Sequence, residues 1–256
     1  MFDLVSGGLS GQAFAAALAV TLFAGFVKGA VGFAMPMILV SAFAVFLPQH
    51  LALAGLILPT LATNLSQAFR QGVGPAVETA RTYRRFLLAT VVFIAVSAPF
   101  AEAIPRWLYL LMLGVPISAF AALQLAGRSL AIPVRNRVWA EWGLGVIGGL
   151  YGGVSGIWGP PLLVLLLSTG ADKLTMIRAQ GVVFLIGAVA LLVSHLGTGV
   201  ANGASLGFSA ALSVPALVGL YAGYWVQDRL DQARFRRWTQ ALLVVTGLNM
   251  VRLALG

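Results

Sequence analysis

A chain of 256 residues that is 60% hydrophobic and 9% charged is not a soluble domain, which carries about 25% charged residues. Its net charge of +9 would suggest nucleic acid in a soluble protein, but the basic residues cluster in short loops between apolar runs, as cytoplasmic loops of membrane proteins do, so no nucleic-acid partner is expected. Without cysteine there are no disulfides, thiolate metal sites or cysteine nucleophiles, and no metal or cofactor is expected.

The chain reads as an all-α polytopic membrane protein, with apolar runs of roughly 20 residues, each able to cross about 30 Å of hydrocarbon. The start, Met1-Phe2-Asp3-Leu4, lacks a basic region before an apolar core. It predicts no cleavable signal peptide, with the first apolar segment serving as an uncleaved insertion signal. Residues 11–46 are apolar apart from Lys28 and a few small polar residues. One helix of that length would be about 54 Å long, too long for one crossing. A break at Gly29–Pro36 is expected instead. Segment 51–69 carries Asn64, Ser66 and Gln67, and a basic loop with Arg70, Arg81, Arg84 and Arg85 follows. Segments 86–101 and 107–126 flank a loop with Glu102, Pro105 and Arg106. After Arg128, Arg135 and Arg137 comes a second broken segment, 139–169, then a loop with Asp172, Lys173 and Arg178. Segments 179–196, 208–226 and 238–255 complete the chain. The loop before the last of them holds Asp228, Arg229, Asp231, Arg234, Arg236 and Arg237.

The two broken segments are copies. Gly25, Gly29, Gly32 and Pro36 recur as Gly149, Gly153, Gly156 and Pro160, each 124 positions later. Further on, Ala95 and Pro99 fall on Gly219 and Gly223 at the same offset. If all eight segments cross once, basic loop residues divide evenly between the two faces. If each broken segment re-enters as a hairpin, 13 of them share one face and only Arg106 and Arg252 lie opposite. The positive-inside rule favours the hairpins, with basic loops cytoplasmic. Each half, 1–126 and 127–256, is then one broken hairpin plus three transmembrane helices. Three crossings are odd, so the halves are expected as inverted repeats, a common plan of secondary transporters. A parallel arrangement with eight full crossings is the alternative.

Non-helical backbone at membrane depth requires cover by protein or a water-filled cavity. Two such breaks in inverted repeats should meet near the midplane. Pro36 and Pro160 suit the first residue of a returning half-helix, with Gly32–Met35 and Gly156–Gly159 as cap regions. Two half-helix N-termini converging there make an anion site without a charged side chain. Gly29, Gly32, Gly153 and Gly156 would allow close approach of a small anion.

Side chains add candidates. Lys28 is the one basic residue inside a break and is a site residue unless it snorkels to an interface. Ser155 and the Trp158 indole N–H are possible donors; packing is the alternative role for Trp158. Asn64 and Gln67, three residues apart, either line the pathway or bond neighbouring helices. Arg178, followed by Gln180, either draws anions in or marks a basic face. His195 is the candidate for a coupling proton, against an ordinary satisfied histidine. The acids fall in loops or near segment ends, and no buried carboxylate is expected. A P-loop is absent. An intramembrane enzyme would need paired acids, a Ser/His pair or metal ligands at one depth; no such set is visible, and the chain is not expected to be an enzyme. The apolar face of 107–126 suits lipid or a second copy in a homodimer equally well.

The paired patterns Gly25-x3-Gly29-x2-Gly32-Phe33-x2-Pro36 and Gly149-x3-Gly153-x2-Gly156-x2-Gly159-Pro160 resemble the duplicated glycine-rich motif of the TauE/SafE sulfite exporter family. Gly219-x3-Gly223, then Asp228-Arg229-Leu230 and a basic run closing on Gly247, are similar to that family's end. The resemblance covers nearly the whole chain. It implies a bacterial inner-membrane transporter, often an exporter, of sulfite or small organosulfonates such as sulfoacetate. Members often read Gly-Gly-Gly where this chain has Phe33-Ala34-Met35, which implies a tighter, more apolar first half of the site, with Phe33 at it. The leading expectation is export of such an anion by alternating access, with proton exchange as one coupling. A passive small-anion channel of the same architecture is the alternative.

Overall fold

The computed structural model describes residues 5–227 and 231–256, the side chains of Lys173 and Gln232 excepted. Asp3 and the Asp228-Arg229-Leu230 pattern lie outside the described residues. The described chain is all-helical: α1 (Gly11–Val31), α2 (Met35–Phe46), α3 (Gln49–Ala68), α4 (Val73–Thr82), α5 (Arg84–Ser97) with a 3-10 turn over Ala98–Phe100, α6 (Arg106–Leu125), α7 (Arg137–Ser155), α8 (Gly159–Ser168), α9 (Lys173–Thr198), α10 (Gly203–Gln227) and α11 (Gln232–Leu255).

Both breaks form where glycine and proline demand them. α1 stops at Gly32, whose φ of 90° needs a residue without a Cβ; its amide returns to the Lys28 carbonyl at 2.7 Å. α7 stops in the same way at Gly156, φ 71°, whose amide returns to Gly152 at 2.7 Å. Pro36 and Pro160 take the second position of α2 and α8, one residue deeper than expected, because Met35 and Gly159 supply the first helical residue. The 124-residue offset holds for α1 and α7 at their ends, for α2 and α8 at their starts, and for α3 and α9 at theirs.

Among the described residues, six helices are long and apolar enough to cross a membrane: Gly11–Val31, Gln49–Ala68, Arg106–Leu125, Leu174–Thr198, Gly203–Gln227 and Ala233–Leu255. This is a multi-pass membrane protein. Several details depart from expectation. Arg178, Arg234, Arg236 and Arg237, expected in loops, lie within α9 and α11. α1, the first limb of a break, reaches spanning length by itself, whereas α2 and α8 are short. Segment 86–101 does not: α5 is 14 residues long and reaches that length only with α4, from which it is bent by 78°. The expected basic loop at 70–85 is largely α4, an amphipathic helix that buries Ala76 and Thr79 one turn apart and exposes Arg81. Asp172 caps α9, accepting from the Leu174 amide (2.9 Å), the Thr175 amide (3.0 Å) and the Thr175 hydroxyl (2.6 Å). The hydroxyl bond, foremost, holds its carboxyl below the usual aspartate range. A lowered folded value stabilises above the unfolded value and is lost as pH falls through the folded one, so this cap outlasts an ordinary aspartate in acid.

The chain separates into two compact units that do not follow its sequence halves. The first gathers the described residues of Met1–Pro59, Glu102–Ser129 and Val200–Gly256; the second gathers Thr60–Ala101 and Leu130–Gly199. The boundary inside α3 falls at Pro59, which cannot donate to the Gly55 carbonyl four residues back. The Ser209 hydroxyl donates to that carbonyl at 3.4 Å and accepts the Leu58 amide at 3.0 Å, both within the first unit.

Three helix pairs carry most of the packing: α1 with α10 and α6 with α11 in the first unit, α5 with α7 in the second. Glycine makes all three. At the α1–α10 crossing a Cβ on Gly29 would lie 2.9 Å from the Gly223 Cα. At α5–α7 a Cβ on Gly149 would lie 2.6 Å from the Thr90 carbonyl oxygen and 2.7 Å from the Phe93 Cβ. At α6–α11 a Cβ on Gly114 would lie 2.6 Å from the Gly247 oxygen. Gly149→Ala should lower stability by about 1–3 kcal/mol through this overpacking. Gly143→Ala, in the same helix with open space around it, should raise it by about 0.5–1 kcal/mol through helix propensity. Thermal unfolding of the two variants in one detergent checks the opposite signs.

Candidate functional site

The second break is buried through Gly152–Trp158 in the second compact unit. Stopping α7 at Ser155 frees its last carbonyls and obliges the chain to satisfy them. The Ser155 hydroxyl donates to the Tyr151 carbonyl at 2.6 Å and accepts the Ile157 amide at 3.1 Å. Ser155 therefore braces the turn, and both its hydrogen-bonding roles are in use. The Gly153 carbonyl, left without the Ile157 amide, is 2.9 Å from His195 Nε2. A carbonyl only accepts, so Nε2 carries a proton, while Nδ1 lies 3.3 Å from Thr198 Oγ1, whose hydroxyl also reaches the His195 carbonyl at 3.3 Å. His195 thus sits on the break itself, a contact across 42 positions that no spacing in the sequence announces.

Beyond Gly156 the donors have no such partners. The Trp158 side chain is 2% exposed and its Nε1 makes no hydrogen bond among the described residues. The amides of Trp158 and Gly159 likewise make none among them. Pro160 and Pro161, next in α8, have no N–H to offer. The unused donors of this half-helix start are therefore concentrated on two residues. The indole is wedged against α9: its ring meets Phe184 edge-on with centroids 6.2 Å apart, and a Cβ on Gly187 would fall 2.9 Å from Nε1. Gly187, not singled out from sequence, is one of three glycines inside α9, with Gly181 and Gly197, and glycine within a helical run is the signal that could have found it. Gln180 lies on the same face of α9 as Phe184 and Gly187, at i, i+4 and i+7. It is buried, and its Oε1 has no partner among the described residues.

Of the remaining candidates of this unit, Gln67 and Arg178 are tied into helix contacts. Asn64 and Gln67 are both buried on one face of α3; Gln67 donates to the Ile177 carbonyl of α9 at 3.1 Å, holding the two helices together. Arg178 donates to Thr79 Oγ1 at 2.8 Å and to Gln71 Oε1 at 3.2 Å, which fastens α9 to α4 and the turn before it. The close approach that Gly153 permits is that of α5: a Cβ there would lie 2.5 Å from the Ile94 oxygen. One expectation is overturned. Glu141 is a buried carboxylate, 2.7 Å from Arg137 Nε and 3.6 Å from Arg85 Nη1. It lies in the second turn of α7, where that helix meets α5, and two arginines compensate its burial.

The first break belongs to the other compact unit. Lys28 is 1% exposed in the last turn of α1, where the helix C-terminus favours a cation. Gly29 serves the α10 crossing and Gly32 the left-handed cap, with Phe33 half-buried beside it. Ala34 has φ 79°, the one non-glycine residue in the left-handed region among those described. A Cβ there costs about 1–2 kcal/mol, partly offset because glycine is more flexible when unfolded. Ala34→Gly should therefore stabilise by about 0.5–1 kcal/mol, read by thermal unfolding. His195→Ala, which orphans the buried Gly153 carbonyl, should cost about 1–3 kcal/mol, and His195→Gln, which keeps an N–H donor, should cost less.

Residues 17–250 match the family model described as Sulfite exporter TauE/SafE. No curated protein and no solved structure matches the chain.

Proposed function

The chain belongs to the TauE/SafE sulfite exporter family, and on that premise we propose that it is a secondary transporter that exports sulfite or a C2 organosulfonate such as sulfoacetate by alternating access, holding the anion at the Gly156–Gly159 break. The observation that carries this reading is the buried Trp158 indole N–H without an acceptor. Leaving such a donor unmet costs about 1–3 kcal/mol, and an oxyanion supplies what it lacks. The unpaired Trp158 and Gly159 amides lie at a helix start, where partial positive charge favours an anion. Gln180 is the polar side chain nearest in kind, since its amide can present N–H groups. Lys28, in the first break, is proposed as a second determinant of anion binding. His195 is proposed as the proton-coupled group, because a change in its protonation bears on the Gly153 carbonyl at the break. The protein is proposed to work in a bacterial inner membrane with its basic loops cytoplasmic.

The test is binding of sulfite, sulfoacetate, sulfate and chloride to the purified protein by thermal shift, with Trp158→Phe and Lys28→Met alongside. Sulfite or sulfoacetate should stabilise the wild type. Trp158→Phe keeps an aromatic ring and removes the N–H, and should weaken that binding by about 10- to 100-fold, the worth of one hydrogen bond to a charged group. No stabilisation by any anion would sink the reading. Saturable counter-transport in liposomes, with trans-acceleration by unlabelled anion, is expected of a transporter and not of a channel.

A further inference from the structure

We propose that the outer junction of α6 and α11 is a binding site for an anionic phospholipid. A cleft of about 320 Å³ opens there, lined by Leu125 of α6 and by Arg234, Arg237, Trp238 and Ala241 of α11. Neither guanidinium has an ion-pair or hydrogen-bond partner among the described residues. The nearest acid in sequence, Asp231, is occupied as the α11 cap, accepting the Arg234 amide at 3.1 Å. The walls are held in place: Gln124 Oε1 accepts from Arg236 Nη2 at 2.6 Å and from Gln240 Nε2 at 3.0 Å, fastening the end of α6 to α11.

The occupant is read from the order of chemistry along α11. Arg234, Trp238, Ala241, Val245 and Leu248 follow one another at i, i+4, i+7, i+11 and i+14, one face of the helix. Trp238, Val245 and Leu248 are 70%, 65% and 55% exposed. From Arg234 to Leu248 this face runs about 21 Å at 1.5 Å per residue. It begins with cations, passes a tryptophan of the kind that sits at the headgroup level, and continues as bare hydrocarbon. A phosphodiester on Arg234 and Arg237 with an acyl chain laid over Ala241, Val245 and Leu248 satisfies each zone in turn. A soluble anion would use the first zone and leave the rest unexplained. The cleft lies apart from the helix breaks in sequence and rests on no assumption about the transported substrate.

The experiment compares the full-length protein in nanodiscs of phosphatidylcholine alone and with phosphatidylglycerol, reading retained lipid by native mass spectrometry and unfolding temperature by fluorescence. Wild type should retain phosphatidylglycerol in preference to phosphatidylcholine and unfold at higher temperature in its presence. Arg234→Gln with Arg237→Gln should cut that preference by about 25-fold, roughly fivefold for each arginine near a membrane surface. Arg252→Gln, at the far end of α11, should leave it unchanged. Inorganic phosphate and glycerol phosphate in phosphatidylcholine discs should give no shift. Equal retention of the two lipids, an equal loss in Arg252→Gln, or full stabilisation by soluble phosphate would each overturn the proposal.

Discussion

Backbone that leaves the helix inside an apolar protein must find partners for its amides and carbonyls, and this structure is arranged around two places where it does so. At each, a left-handed glycine turns the last amide back onto its own helix, Gly32 to Lys28 and Gly156 to Gly152. Side chains then take up what remains. At the second break His195 meets the Gly153 carbonyl and Ser155 the Ile157 amide. The Trp158 indole N–H is one of several buried side-chain groups without a hydrogen bond among the described residues, and it lies at the break. The functional reading follows from the contrast between a turn in which the Gly152 and Gly153 carbonyls and the Ile157 amide are met and its last donors, on Trp158 and Gly159, which are not.

The same glycine motifs have a second physical role. Gly25 and Gly29 lie against α10, and Gly145, Gly149 and Gly153 against α5, at distances that a Cβ would forbid. The pairing crosses the halves of the sequence: α1 from the first half packs on α10 from the second, and α7 from the second packs on α5 from the first. Gly219 and Gly223 occupy the facing positions on α10, so small residues meet small residues. In an apolar solvent, where hydrocarbon burial drives little association, such backbone contact is a main source of helix affinity. The repeat thus records packing as well as the breaks.

The elements that could be read from sequence were those with a local cause. Helix interruption at Gly32 and Gly156 follows from glycine and proline inside an apolar run; α2 and α8 start within a residue of expectation, whereas α1 continues through Gly29 to Val31. The apolar stretches announced the long helices. α4 was not legible, because a short amphipathic helix beside four arginines has the composition of a loop until Ala76 and Thr79 find something to cover them. The role of Glu141 was hidden for a similar reason. A charged residue near a helix start reads as exposed, and only the approach of α5 brings Arg85 to it and buries it. Arg178 looked like a free cation; Thr79, 99 positions away, is its partner.

The sequence by itself determined that this is an α-helical membrane protein, where its two breaks fall, and that its halves share one pattern, because hydropathy, glycine and proline act over a few residues. Only the tertiary structure decided which candidates are already engaged and which are not. Ser155 spends its hydroxyl on the turn, Gln67 joins two helices, and Gly29 and Gly153 admit neighbouring helices, whereas the donors of Trp158 and Gly159 keep theirs unspent. Hydrogen-bond satisfaction is a property of what lies within reach in space, and the residues that meet are 42 positions apart at Gly153 and His195 and 110 apart at Gln67 and Ile177.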